Sequence, residues 1–417
     1  MKTLLKGEQL EFQSTRQEFN YIPNHYSTGT PTHDNEMFYG REKDIEFLKD
    51  NLTRAEAKTV IVLYGQRRSG KTTLLLHLVN TTVLDPHIPI IIDMQKESYQ
   101  ISAGRFFHHL AFYMFRELRK RGIIVNKPLL PEFEQNPTFA FDIFLEDAEE
   151  QLTDRKIIVL IDEFEVLEAQ VKKGKLEPEL FEYLRSLMQH HRSINFLLSG
   201  THTIEELTRG YWSVFFNIAR HYRLSRLSPE SAIGLITGPV KGYLEYEPYA
   251  VRKIRDLTAD QPYLIHLICR SLVDHCNEKR KAYATINDVN AVLQEVMQTG
   301  QFHFDWQWEH LSAEERVVLA ALAEGGKEEG RPLSLIEIEE IYRHYRIPYK
   351  KDQVTTALRE LIEADAIERI ADDLREHTAD GARFKIPVGL IRQWIIEEKP
   401  LDQTLLEEQV PVNRQSI

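Results

Sequence analysis

The sequence predicts an α/β fold built on a mainly parallel sheet, followed by helical segments, and three observations carry that prediction. Short runs rich in Ile, Val and Leu alternate with longer stretches of helical period from residue 59 onward, the pattern of strands covered by helices on both faces. Gly65-Gln66-Arg67-Arg68-Ser69-Gly70-Lys71-Thr72 joins the first of these runs to a helix-like stretch, Thr73-Leu74-Leu75-Leu76-His77-Leu78-Val79. A further apolar run, Ile157-Ile158-Val159-Leu160-Ile161, ends in the acidic pair Asp162-Glu163.

Taken in order, residues 1–35 are rich in Asn, Thr, Pro and His without sustained periodicity and read as an irregular lead-in. A helix over 43–52 precedes strand candidates at 59–64, 88–93, 156–161, 194–199 and 221–224, with helical patterns between them. Ser228 is placed to cap a helix that has Pro229 in its first turn, and the chain stays helical to about residue 298 apart from a break at Ala259-Asp260-Gln261-Pro262-Tyr263. From Phe302 the pattern reads helix over 313–323, helix over 334–344, helix over 351–364, then strands near 367–370 and 383–386 around an Asp380-Gly381 turn. Three helices followed by a hairpin is the winged-helix pattern. The expected domains are a lead-in (1–35), a core (36–227), a helical lid (228–300), a winged helix (301–398) and a tail (399–417).

Composition narrows the function classes. At 417 residues the chain is too long for one compact core, and 28% charged against 42% hydrophobic residues is ordinary for a soluble globular protein. No run of 18 apolar residues exists and the N-terminus lacks an apolar secretory segment, so the expectation is a cytoplasmic protein without a membrane partner. The net charge of -12 argues against a nucleic-acid coat, leaving room for a local basic patch. Cys269 and Cys276 lie two helical turns apart, about 10 Å along an axis, and read as packing residues. The histidine pairs His108-His109 and His190-His191 lack ligand spacing to any cysteine or second cluster, so no zinc site is expected.

The segment 65–72 has the G-x-x-x-x-G-K-[ST] spacing that phosphate chemistry requires. Its glycines let backbone N–H groups curl round an anion, Lys71 reaches the β- and γ-phosphates, the Thr72 hydroxyl ligates Mg²⁺, and the helix start adds its dipole. Gly65, Gln66, Arg67, Arg68, Ser69, Gly70, Lys71, Thr72 and Thr73 are therefore the expected contacts to ATP or ADP. Asp162 is the second expected magnesium ligand, and Glu163 the general base that polarises the attacking water. An apolar strand leading into an acidic helix start has the same appearance; pairing with the upstream loop favours catalysis. Where the next strand ends, Ser199 and Thr201 are both candidates for a hydroxyl that senses the γ-phosphate, with turn chemistry the plain alternative.

Phe38-Tyr39-Gly40-Arg41-Glu42, the phosphate loop, Asp162-Glu163-Phe164-Glu165, Tyr211-Trp212-Ser213 with Arg220, and Leu257-Thr258-Ala259-Asp260-Gln261-Pro262-Tyr263 together resemble the STAND and archaeal-type ATPases of the AAA+ superfamily over residues 36–395. The resemblance implies a P-loop NTPase αβα sandwich with strand order 5-1-4-3-2, a helical lid and a C-terminal winged helix. It also implies that Phe38, Tyr39, Gly40 and Arg41 line the adenine pocket, that Pro262 packs near the base, and that Arg220 sits near the γ-phosphate in cis or from a neighbouring subunit, with Arg209 and Arg223 as rivals. Asp260 stands where the family usually has a small residue.

Two functions follow as expectations. One is an ATP-hydrolysing switch whose nucleotide state controls lid closure, homo-oligomer formation and engagement of a protein partner through the winged helix or the aromatic strip Phe302, Phe304, Trp306 and Trp308. The other is a DNA-associated AAA+ ATPase. The third helix of the winged segment carries Lys351 and Arg359 against Asp352, Glu360 and Glu363, an acidic balance unsuited to a phosphate-lined groove, whereas residues 343–351 are basic with interleaved tyrosines. That balance favours a protein partner over DNA. A metabolic kinase is disfavoured because no acceptor pocket is apparent.

Overall fold

The computed structural model describes residues 19–29, 37–54, 59–97, 102–191, 193–201, 213, 217–328, 330–370 and 382–410. Its core opens with helix α1 (Glu42–Leu52), strand β1 (Val60–Tyr64) and helix α2 (Lys71–Asn80), then β2 (Ile88–Asp93) and α3 (Met94–Glu97). Helices α4 (Ala103–Lys120), α5 (Leu130–Gln135) and α6 (Pro137–Gln151) lead to β3 (Ile157–Asp162), α7 (Glu165–Lys172), α8 (Glu179–His190), β4 (Ile194–Gly200) and β5 (Arg220–Arg223). The five strands form one parallel sheet in the order β2-β3-β4-β1-β5, which read from the other edge is the implied order 5-1-4-3-2.

Two-residue periodicity explains why both faces are covered. Val60, Val62, Val159, Ile161, Phe196 and Leu198 face the layer built by α4, α6, α7 and α8, while Ile61, Leu63, Ile158, Leu160 and Leu197 face α1 and α2. Every residue of β3 and β4 is buried. Register places Tyr64 beside Gly200 and Asp93 beside Asp162, so the loops after β1, β3 and β4 gather at one carboxyl edge. Open parallel sheets bind ligands at that edge.

The second lobe consists of α9 (Pro229–Thr237), β6 (Glu245–Tyr246), α10 (Pro248–Thr258), α11 (Pro262–Lys279), β7 (Tyr283–Ala284) and α12 (Ile286–Glu309). Ser228 caps α9 by accepting from the Ser231 amide, with Pro229 in the first turn as expected. The break between α10 and α11 is made by Ala259 and Asp260, both left-handed at φ 47° and 60°. Arg255 grips both Asp260 carboxylate oxygens at 2.9 Å, which holds an aspartate at a position otherwise suited to a smaller residue. Cys269 and Cys276 are buried and unpaired, as their spacing implies, and burial pushes the Cys269 thiol up to about 12.

Helix α12 runs unbroken through residues 300 and 301, where the sequence suggests a boundary, and carries the aromatic strip. Helical spacing divides that strip: Phe304 and Trp308 are buried against Trp394, whereas Phe302 is 87% exposed. The third lobe adds α13 (Ala313–Gly325), β8 (Leu333–Ser334), α14 (Leu335–His344), α15 (Lys351–Glu363), β9 (Glu368–Ile370), β10 (Arg383–Lys385), α16 (Gly389–Glu398) and α17 (Leu401–Glu407). Strands β8, β10 and β9 form an antiparallel sheet in that order; the Asp380-Gly381 turn lies outside the described residues. The segment read as a tail contains α17, anchored by buried Leu401 and Leu405. One hydrophobic cluster runs through the second and third lobes.

The described part of the lead-in, residues 19–29, is tied to the second lobe. The Ile22 amide donates to Asn277 Oδ1 at 2.9 Å, Asn277 Nδ2 returns a bond to Ile22 O at 3.0 Å, and the buried Tyr26 hydroxyl donates to Ile236 O at 2.6 Å. Among the described residues no helix is long and apolar enough to cross a membrane.

Candidate nucleotide site

The loop between β1 and α2 takes its shape from two glycines. Gly65 lies against the strand-end of β5, where a Cβ would stand 2.7 Å from Leu224 O, and Gly70 adopts φ 96° immediately before α2. Lys71, the first residue of α2, is buried, and its Nζ donates to Gly65 O and Gln66 O at 2.9 Å each. Burial lowers its affinity for a proton, while the charges of Glu163, Glu165 and Asp162 act to keep it. Thr73 follows in the first turn of the same helix.

Across the carboxyl edge, Thr72 Oγ1 donates to Asp162 Oδ2 at 2.6 Å. Asp162 Oδ1 is buried without a hydrogen bond, and burial raises this carboxyl above the ordinary aspartate range against the pull of the Thr72 hydroxyl. A hard divalent cation fits this pair: it takes oxygen ligands, needs only one or two from protein when phosphates and water complete its shell, and would satisfy the orphaned Oδ1.

Glu163 sits in the left-handed region at φ 54°. Its carboxyl is raised to about 7 by burial, then by the charges of Glu165 and Asp162, with Lys71 opposing. A base poised near neutrality suits proton transfer from water. The following turn is fastened to β4 by the Phe164 amide donating to Ser199 O at 2.9 Å. Thr201 is already engaged, donating its amide and hydroxyl to Glu165 Oε1 at 3.1 and 2.8 Å. Ser199, wholly buried, faces the Asp162 carboxyl without reaching hydrogen-bond geometry, and its hydroxyl is unbonded.

The loop's outer side chains point toward the other lobes. Gln66 Nε2 donates to Ala364 O at 2.6 Å, and Gln66 Oε1 accepts from Gln261 Nε2 at 2.8 Å. Arg67 lies 4.9 Å over the Trp306 ring and Arg68 3.9 Å over the Tyr263 ring. Ser69 Oγ is buried and unbonded. The side chains of Gln66, Arg67 and Arg68 thus hold Gln261, Tyr263, Trp306 and Ala364.

The residues expected at the adenine pocket are partly spoken for. Phe38 stacks on His77 at 4.0 Å, and the Tyr39 ring packs where Gly234 and Gly238 leave space on α9. Gly40, at φ 66°, passes close to Ser231. Arg41 is 5% exposed and bridges the site, donating to Ser225 O at 2.8 Å and Ser69 O at 2.9 Å while paired with Asp44. Pro262 opens α11 directly after Gln261, close to the loop through the Gln66 bond.

Arg220 is the exception to the convergence. It begins β5 opposite Ile61, three residues before the edge where Arg223 stands opposite Tyr64, and its guanidinium donates to Asn51 Oδ1 at 2.6 Å. Three residues of strand displace its backbone by about 10 Å from the carboxyl edge. Arg223 reaches the edge but pairs with Asp365 at 2.6 Å and donates to Glu363 O; Arg209 lies outside the described residues. Sequence reasoning missed the parts played by Glu165, Gln261 and the Gln66 side chain. The signal for Glu165 was its place one turn past Asp162, opposite Gly200.

The model of an ATPase domain predominantly from Archaea matches residues 38–229, and that of the novel STAND NTPase 2 matches residues 140–327. No curated protein matches the sequence. Among solved structures, a Walker-type ATPase of Pyrococcus abyssi has 15% identity and a TM-score of 0.62, with 87% of this chain and 97% of that one covered. The Aeropyrum pernix ORC1 protein in complex with DNA has 14% identity and a TM-score of 0.43 over 94% of this chain and 98% of that one. Cdc6p from Pyrobaculum aerophilum has 15% identity and a TM-score of 0.42 over 89% and 97%. At such identities the Pyrococcus protein attests the fold alone. The two family models overlap over residues 140–229, across the acidic strand end; the chain is similar to archaeal-type ATPase domains from the phosphate loop to the end of the sheet, and to STAND NTPases from residue 140 through the second lobe.

Proposed function

We propose that the chain binds and hydrolyses ATP with Mg²⁺ and uses its nucleotide state as a switch. The observation that carries this reading is the meeting of Lys71, the Thr72–Asp162 bond and Glu163 at one sheet edge. Lys71 exchanges its two loop carbonyls for phosphate oxygens. Thr72 and Asp162 hold the ion, which supplies charge neutralisation on the phosphate oxygens, and Glu163 takes a proton from the attacking water.

The switch reading is supported by what the loop touches. Gln66, Arg67 and Arg68 reach the helical lid, and Gln66 and Arg223 reach the end of α15 in the lobe read as a winged helix. Arg226 adds an ion pair with Glu368 and a bond to Asp365 O. Closing the loop on a phosphate therefore shifts groups that hold both lobes, and the lobes' release exposes surface for self-association or a protein partner. DNA is the second candidate partner; the acidic helix α15 disfavours it.

The test is Glu163→Gln in the full-length chain with fluorescent ATP, ADP and duplex DNA. Retained ATP binding, turnover reduced by about 10²-fold or more and a larger solution mass in ATP than in ADP are expected. Undiminished turnover would remove Glu163 as base; assembly that needs DNA would favour the DNA-associated reading.

A further inference from the structure

Glu165 opens α7 inside the carboxyl edge, where its charge bears on Glu163 and Lys71 and its contacts reach across to the end of β4. Its Oε1 takes both donors of Thr201, the amide at 3.1 Å and the hydroxyl at 2.8 Å. Gly200 makes that approach possible, because a Cβ there would stand 2.5 Å from Glu165 Oε2. Oε2 itself is buried and makes no hydrogen bond, so Thr201 engages the carboxylate through Oε1, while its charge bears on Glu163 and Lys71. Together with the Phe164 amide on Ser199 O at 2.9 Å, this fastens the β3–α7 turn to the exit of β4 at two points.

Glu163 lies within that doubly fastened turn, at φ 54°. A non-glycine residue in the left-handed region persists only where its surroundings hold it there. Ser199, two residues before Thr201, is fixed by the same pair of contacts. The Glu165 side chain thus supplies the second of two ties that set Glu163 on β3's turn relative to Ser199 on β4.

We propose that Glu165 is a positioning residue for hydrolysis, which by gripping Thr201 holds Ser199 and Glu163 in register on the terminal phosphate. This rests on the nucleotide reading above. Because Glu165 acts on geometry at the terminal phosphate, its loss slows turnover while leaving the loop that grips the other phosphates intact. Misplacement of reacting groups by an ångström reduces rates by up to about a hundredfold.

The experiment measures ATP turnover and fluorescent ADP binding for full-length Glu165→Ala, Glu165→Gln and Thr201→Val. Glu165→Ala is expected to lower kcat about ten- to a hundredfold with ADP affinity unchanged. Glu165→Gln, which keeps an oxygen for both Thr201 donors, restores most of the rate, and Thr201→Val, which keeps the amide alone, falls between. Parental turnover in Glu165→Ala or Thr201→Val overturns the inference. So does a Glu165→Gln as slow as the alanine variant, which would show that charge rather than position matters, and so does a parallel loss of ADP binding. Glu163→Gln measured alongside separates the readings: if it turns over normally, the hydrolase assignment falls and this inference with it, whereas normal turnover in Glu165→Ala alone removes only the positioning role.

Discussion

Thr72 Oγ1 and Asp162 Oδ2 stand 2.6 Å apart, joined across 90 residues of sequence. The bond aligns the two oxygens a magnesium ion would use and leaves Asp162 Oδ1 buried without a partner. Hydrogen bonds to charged groups are worth about 1.5–3 kcal/mol. Thr72→Val keeps the shape and removes the hydroxyl, so the Mg²⁺ concentration needed for half-maximal ATP turnover should rise about tenfold or more. A magnesium titration of turnover that overlays the parent's would deny Thr72 a place at the metal.

Much of this site was legible in the sequence because phosphate chemistry fixes residue types at short range. Gly65, Gly70, Lys71 and Thr72 follow from one local motif, and Asp162-Glu163 from an apolar run ending in acids. What escaped was set by long-range packing. The Gln66 side chain meets Ala364 and Gln261, partners 298 and 195 residues away that no local pattern names. The position of Arg220 along its strand escaped for a related reason: β5 pairs with β1 from residue 220 to 223, and that register is a tertiary fact. Helix α12 overran its expected end because Gly300 sits where Phe304 and Leu267 crowd its Cα, a packing role that looks like a break on paper.

Arg220→Ala should leave turnover of the dilute protein unchanged, since its guanidinium holds Asn51 at the far end of β5. Losing that bond should cost about 1 kcal/mol of stability. Thermal melting and turnover measured on the same preparation check both halves. A rate that drops only at concentrations where the parent assembles would return Arg220 to the terminal phosphate of a neighbouring subunit.

Stability should fall in mild acid through two histidines of the second lobe. Burial lowers His266 to about 4, and burial with the nearby charges of Arg68 and Arg67 lowers His303 to about 3. Both values lie below the ordinary histidine range near 6.5, so the unfolded chain binds the extra protons. The neutral rings' contribution is therefore full above about pH 6.5 and is lost progressively as pH falls from there toward 4 and 3. His303→Phe, at a site ringed by Tyr263 and Phe304, should flatten part of the decline in melting temperature between pH 7 and 5. An unchanged slope in the variant would assign the acid sensitivity elsewhere.

Gln66 reports on the loop and on both other lobes at once. Its carbonyl accepts from Lys71 Nζ, its amide nitrogen donates to Ala364 O and its amide oxygen accepts from Gln261. A phosphate that draws Lys71 away changes the backbone from which the two side-chain bonds are held. Gln66→Ala keeps that backbone and cuts the side-chain bonds, so ADP should still bind with an affinity within about threefold of the parent's, the cradle being made of N–H groups. Spin labels or fluorophores placed on α1 and α14 should then lose most of the nucleotide-dependent change in separation that the parent shows. Asp365→Ala removes the Arg223 ion pair, a half-exposed contact worth about 0–1 kcal/mol, and should weaken the response far less than Gln66→Ala. If the two variants respond alike, or if Gln66→Ala keeps the full change in separation, the coupling runs through the lobe surface as a whole, and Gln66 only lies beneath it.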